Sequence, residues 1–63
     1  MTIEFFSKLR NIQNDTEVKE LGFEFLNAVD DRVCCWVDRA RHLLLITYDK
    51  GNGWCEYGSV HIY

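Results

Sequence analysis

Two closely spaced β-rich runs limit what this chain can become. Val33-Cys34-Cys35-Trp36-Val37-Asp38 and His42-Leu43-Leu44-Leu45-Ile46-Thr47-Tyr48 are rich in β-branched, aromatic and large apolar residues, and only Arg39-Ala40-Arg41 separates them. A strong turn signal, Lys50-Gly51-Asn52-Gly53, then leads into a third run from Trp54 to Tyr63. The chain contains no proline. Adjacent runs of this composition predict a meander of antiparallel strands.

The turns also predict registers. A first turn centred on Ala40-Arg41 sets Val37 opposite Leu44 and Trp36 opposite Leu45. A second, centred on Gly51-Asn52, sets Ile46 opposite Tyr57 and Thr47 opposite Glu56. Side chains alternate along a strand. One face is therefore expected to carry Val33, Cys35, Val37, Leu44, Ile46, Tyr48, Cys55 and Tyr57. The other carries Cys34, Trp36, Leu43, Leu45, Thr47, Glu56, Val60 and Ile62. A one-residue bulge in the glycine-rich turn would swap the faces of the last strand. Ile46, between Cys35 and Tyr57 in the central strand, is expected to be the costliest residue to truncate.

Ahead of the sheet, Thr2 is a helix cap, and Phe5, Leu9 and Ile12 recur at helical spacing with Phe6 beside them. An amphipathic helix over residues 3–12 follows, its stripe set to cover the sheet. Asn14 and Glu17 form a capping-box pattern. Residues 16–29 carry two readings. Val18, Leu21, Phe25 and Ala28 fit a second helix. Alternation of Phe23, Phe25 and Asn27 against Glu24, Leu26 and Ala28 fits a strand, with Asp30-Asp31 as the turn into Val33. Gly22 and its phenylalanine neighbours favour a short helical turn followed by a strand. The expected fold is α+β: residues 1–63 form a single small domain, an N-terminal helix packed on an antiparallel β-meander of three or four strands.

Composition narrows the function classes. A content of 48% hydrophobic and 14% aromatic residues is too high for a disordered chain. A net charge of −3 argues against nonspecific nucleic-acid binding, which needs a basic surface. Three cysteines, an odd number, suit reduced thiols better than a disulfide framework. Met1-Thr2-Ile3-Glu4 lacks the basic segment of a signal peptide, and no apolar run approaches the roughly 18 residues of a membrane span. A cytoplasmic location with no membrane partner is expected.

Chemistry-bearing residues are present but badly spaced. Cys34, Cys35, Cys55, His42 and His61 are all zinc-ligand types. The vicinal pair points to opposite faces of a strand, however, and no C-x-x-C or H-x₃-H motif occurs. No metal or cofactor is expected, and the cysteines read as small buried hydrophobes. A Cys55/His61 pair has no third orienting group, and Asp30-Asp31 reads as a turn. An enzyme is not expected, and no residue is assigned a catalytic role. Asp38, Arg39, Arg41 and Asp49 are expected to decorate loops.

The clearest functional clue is a sheet with two apolar faces and one helix to cover them. An uncovered apolar face is unusual for a soluble monomer. Cys35, Val37, Leu44, Ile46, Tyr48 and Tyr57 are therefore the candidate partner-binding residues, for another protein or for a second copy in a homodimer. The competing reading is that a second helix covers that face. The leading expectation is a small cytosolic protein-interaction module, an inhibitor or adaptor that binds stoichiometrically through a sheet face. Small acidic proteins of this type are often encoded by phages or mobile elements to block a host protein, an analogy at the level of composition. The second reading is a nucleic-acid-associated regulator that stacks bases on Trp36, Trp54, Tyr48, Tyr57 or Tyr63. Against it, Arg32, Arg39, Arg41 and Lys50 are scattered among acids. A small enzyme or redox protein is third.

Overall fold

The computed structural model describes residues 2–63. Two short helices, α1 (Ile3–Arg10) and α2 (Asp15–Glu20), precede four strands: β1 (Glu24–Ala28), β2 (Val33–Asp38), β3 (Leu43–Gly51) and β4 (Trp54–Ile62). The strands form one antiparallel sheet in the order β1-β2-β3-β4. The fold is the α+β meander that the sequence pattern implies, with four strands.

Local chemistry sets the helix ends. The Thr2 hydroxyl accepts from the Phe5 N–H at 3.2 Å, and Glu4 lies in the first turn of α1 with Lys8 and Arg10 in the last, each suited to the helix dipole. α1 stops at Arg10, earlier than the apolar spacing suggests. Asn11 leaves helical geometry at φ −111°, and its side-chain amide turns back to donate to the Ser7 carbonyl at 2.7 Å. Ile12 remains in the core nonetheless. Asn14 caps α2 by accepting from the Glu17 N–H at 2.9 Å, and the Glu17 carboxylate accepts from the Gln13 N–H at 2.8 Å. This is a capping box whose return bond lands one residue early. Leu21 caps the end of α2, and Gly22 follows with a φ of +105° that suits glycine before the chain enters β1. Residues 16–29 thus resolve as a short helix followed by a strand.

The β2–β3 register is the expected one, with Val37 opposite Leu44, Trp36 opposite Leu45 and Cys35 opposite Ile46. The β3–β4 register is not. Two irregularities fall in it, one between Asp49 and Gly51 and one between Ile46 and Thr47. Thr47 therefore faces Tyr57 rather than Glu56, and Ile46 faces Ser59 rather than Tyr57. The first shift moves Cys55 and Tyr57 to the face of Trp36 and Leu45 and turns Glu56 to the opposite face. The second restores the original phase, so Val60 and Ile62 lie where the alternation puts them. The gain is physical: the shift takes two apolar side chains to the core side and a carboxylate away from it.

Both helices pack on the same face. Leu9, Ile12, Val18 and Phe23 meet Trp36, Leu43, Leu45 and Cys55 in one buried cluster. Phe5 stacks on Phe23 at 6.3 Å between ring centroids and meets Phe6 edge-on at 5.8 Å. The second helix is thus real, but it does not cover the other face. The connection between the helices is sewn to β4: Asp15 N–H donates to the Gly53 carbonyl at 2.9 Å, and Cys55 N–H to the Gln13 carbonyl at 3.0 Å.

Two buried polar groups complete the core. The Trp36 indole N–H donates to the Thr47 hydroxyl at 3.0 Å, and both residues are buried. Asp38, expected in a loop, ends β2 and is only 3% exposed. Its carboxylate accepts from the Arg41 backbone N–H at 3.0 Å and from the Arg41 guanidinium at 2.6 Å. That guanidinium also donates to the Leu21 carbonyl at 3.4 Å and lies 4.5 Å from the Phe5 ring centroid. Arg41 therefore ties the β2–β3 turn to both helices. Ile46, expected to be the pivot of the core, is only half-buried on the uncovered face, whereas its neighbour Leu45 is completely buried.

Candidate interaction surface

The face away from the helices collects five of the six residues expected to bind a partner. Cys35 and Val37 come from β2, and Leu44, Ile46 and Tyr48 from β3. Registry places Val33 with Tyr48, Cys35 with Ile46 and Val37 with Leu44. Tyr57 is not among them: the β3–β4 shift places it on the helix face, packed against the core cluster. Cys35 and Val37 are buried even without a helix above them, and Leu44 and Ile46 are half-buried. Tyr48 is 47% exposed and is the main aromatic feature of the face.

Tyr48 occupies a prepared seat. Gly58, at the irregularity in β4, has no side chain. A Cβ there would stand 2.9 Å from Tyr48 Cε2 and 2.8 Å from the Ile46 carbonyl oxygen. The missing side chain lets the tyrosine ring lie against β4, a pairing of aromatic and glycine known from other sheets.

Ion pairs stand at both ends of this face. Arg39 Nε lies 3.0 Å from Glu24 Oε1, and the Arg39 guanidinium is 5.9 Å from the Tyr63 ring centroid. At the opposite end Lys50 Nζ lies 3.2 Å from Glu56 Oε2. Both pairs are exposed, so they contribute little to stability. Their effect is to give an apolar centre a charged rim that is neutral pair by pair. The sequence pattern did not place Glu24, Glu56 or Tyr63 in this setting. Only the first register shift of the last strand, between Asp49 and Gly51, brings Glu56 there.

β1 adds a second feature that sequence reasoning missed. Every residue of this edge strand is exposed. The helix layer covers Trp36 but stops short of β1, leaving Phe25 52%, Leu26 40% and the following Val29 61% exposed. Phe25 meets Trp36 edge-on at 5.4 Å, its one aromatic contact with the core. A bulge between Phe25 and Asn27 marks the strand.

The remaining candidates have structural roles. Burial pushes the Cys55 thiol up to about 12, helped by its hydrogen bond with Asp15 and the charges of Asp15 and Asp49. Burial likewise raises Cys34, with Asp49 and Asp15 adding to the effect. Both stay protonated at neutral pH, and a thiol is a poor nucleophile and metal ligand in that form. Among the described residues no three His, Cys, Asp or Glu side chains are grouped to hold a metal ion. His61 is hydrogen-bonded to Ser59 at 2.8 Å rather than to a cysteine. Asp30 is a turn residue, its carboxylate accepting from the N–H groups of Arg32 and Val33. No described helix is long and apolar enough to cross a membrane. A shallow groove of about 630 Å³ runs between the end of α1 and β4, lined in part by Arg10, Gln13, Lys50, Trp54 and Tyr57. Its Lys50 is already engaged by Glu56.

No protein-family model matches this chain, and no curated protein or solved structure matches it.

Proposed function

We propose that this chain is a small protein-interaction module of the cytoplasm, an inhibitor or adaptor that binds one partner protein stoichiometrically through the sheet face opposite the helices. One observation carries the reading: both helices lie on the Trp36 face, which leaves Leu44, Ile46 and Tyr48 without cover between two charge-neutral rims. An apolar centre with an exposed aromatic residue and a polar border is the usual anatomy of a docking surface. The occupant that fits is a protein surface with its own apolar centre and charges able to exchange with Arg39–Glu24 and Lys50–Glu56. The raised thiols of Cys34 and Cys55 suit binding better than nucleophilic chemistry.

The test is capture of a cross-linked partner from a host lysate, repeated with surface variants. Tyr48→Ala and Leu44→Asp should each lose the protein that the wild type captures. Lys8→Glu, on the exposed side of α1, should retain it. Truncating a central tyrosine is expected to cost about 2 kcal/mol, a roughly thirtyfold loss of affinity. Capture unaffected by both Tyr48→Ala and Leu44→Asp would remove the reading. The groove of Arg10, Lys50 and Trp54 supports a second reading as a single-strand nucleic-acid binder. Salt-dependent binding of a short oligonucleotide, lost in Trp54→Ala, would favour it instead.

A further inference from the structure

We propose that a second copy of this chain pairs with the free edge of β1, so that two four-stranded sheets join into one of eight strands. The inference is argued from β1, and its area argument rests on the proposed docking role of the open sheet face, whichever partner that face takes.

Three features of the structure lead to this occupant. First, β1 is the end of the sheet, with β2 on one side and no strand on the other among the described residues. Its side chains are exposed throughout, and Phe25 and Leu26 within it and Val29 just beyond it make this edge apolar. An exposed apolar edge is a template for strand addition.

Second, the edge is compatible with itself. Antiparallel pairing about a two-fold axis between Leu26 and Asn27 sets Phe25 opposite Ala28 of the second copy and Glu24 opposite Val29 of the second copy. Glu24 is the only charged residue from position 24 to 29. Its carboxylate is already paired with Arg39 at 3.0 Å, and in this register it meets an apolar residue rather than its own like charge. Like charges directly opposite would be unfavourable, and none arises. The strand carries no unpaired charge by which a different protein would be selected. The bulge between Phe25 and Asn27, often a device against edge pairing, falls at the proposed axis. Both copies therefore meet it at the same place.

Third, the area of the open face calls for enlargement. β2 supplies six residues, about 20 Å of strand, and four strands spaced about 4.8 Å apart span about 19 Å. The face therefore offers about 400 Å² in outline. A stable protein interface takes about 800 Å² from each side. Joining two sheets at β1 sets two open faces side by side and reaches that figure without any new surface.

Sedimentation velocity and light scattering over a concentration series test the proposal on the intact chain. The wild type should pass from the 7.5 kDa monomer to twice that mass as concentration rises. Leu26→Lys and Val29→Glu should each weaken the dimer at least tenfold. Ile62→Lys, at the exposed apolar end of the opposite edge strand, should leave it unchanged. Circular dichroism checks that each variant is folded. Amide hydrogen exchange on the wild type alone gives a reading free of mutation: protection over residues 24–29 should grow with concentration, while that over residues 57–62 should not. A chain still monomeric at about 1 mM, where even weak complexes form, would overturn the proposal. So would a dimer indifferent to both β1 variants, or one protected at β4 instead of β1. Loss of partner capture in Tyr48→Ala concerns the open face and leaves this result standing, so the two readings fail separately.

Discussion

Leu45 and Ile46 are neighbours on β3 that point to opposite faces, and truncating each in turn measures what each face contributes. Leu45 is completely buried beneath the helices within the Leu9, Val18 and Trp36 cluster. Leu45→Ala removes three carbon atoms from a packed site and leaves a cavity, which costs about 2–5 kcal/mol. A domain of this size holds roughly 3–9 kcal/mol in total, from about 0.05–0.15 kcal/mol per residue. The variant should therefore be partly or wholly unfolded at 37 °C. Ile46 is half-buried on the open face and borders solvent rather than a helix. Ile46→Ala should cost only about 1–2 kcal/mol, because part of the removed surface was never taken from water. Urea denaturation followed by far-ultraviolet circular dichroism gives both values on one scale. Light scattering at equal concentration shows whether either variant aggregates. If Ile46→Ala proves as costly as Leu45→Ala, the open face is a second core and the assignment of the partner surface is wrong.

Two further substitutions test the buried polar groups. Thr47→Val keeps the shape of the side chain but leaves the Trp36 indole N–H without its acceptor. It should destabilise the fold by about 1–2 kcal/mol and shift the indole proton resonance, and an unchanged midpoint would show that the bond contributes nothing. Asp38→Asn removes the charge that Arg41 holds. Burial alone would raise the carboxyl pKa, but the hydrogen bonds and charge of Arg41 outweigh it and the net shift is downward. Stability from this group is therefore present above about pH 4 and lost as pH falls through the depressed value. The variant should be less stable than wild type by about 1–2 kcal/mol at neutral pH, and the gap should close below about pH 4. A gap that persisted or widened in acid would refute the assignment.

The sequence was legible where a local rule acts alone. Thr2 and Asn14 are helix caps by residue type, and both cap as expected. The β2–β3 pairing follows from a short connection between two apolar runs and holds residue for residue. Legibility failed where two local choices compete. The turn through Gly51, Asn52 and Gly53 has positive φ at all three residues. Its geometry permits several registers, and burial of Cys55 and Tyr57 decides among them. The second irregularity, at Gly58, depends on where the Tyr48 ring lies on another strand. Periodicity within one strand carries no trace of that. Asp38 was misread for a similar reason. Its partners are Arg41 in the turn and, through it, Leu21 and Phe5, all brought together only by folding.

The candidate surface follows from how little helix the chain has. α1 has eight residues and α2 six, about 12 Å and 9 Å of helix. The sheet beneath them is about 19 Å across its four strands, so two short helices can roof most of one face and nothing else. Leu9, Ile12, Val18 and Phe23 spend that cover on Trp36, Leu43, Leu45 and Cys55, next to β4, where Gln13 and Asp15 are hydrogen-bonded to the turn and strand. β1 lies at the far edge and receives none of it, although Phe25 and Leu26 are as apolar as the residues that do. No described residue roofs the reverse face, and its apolar residues limit their exposure by packing side by side, as the burial of Cys35 and Val37 shows. Two of the exposed apolar features are the Tyr48 face and the β1 edge. They are adjacent parts of one sheet, separated only by the row of Val33, Cys35 and Val37. A second copy at the edge would extend the face without altering it. The two proposed contacts are therefore compatible in a single assembly, with the helices on its outer side.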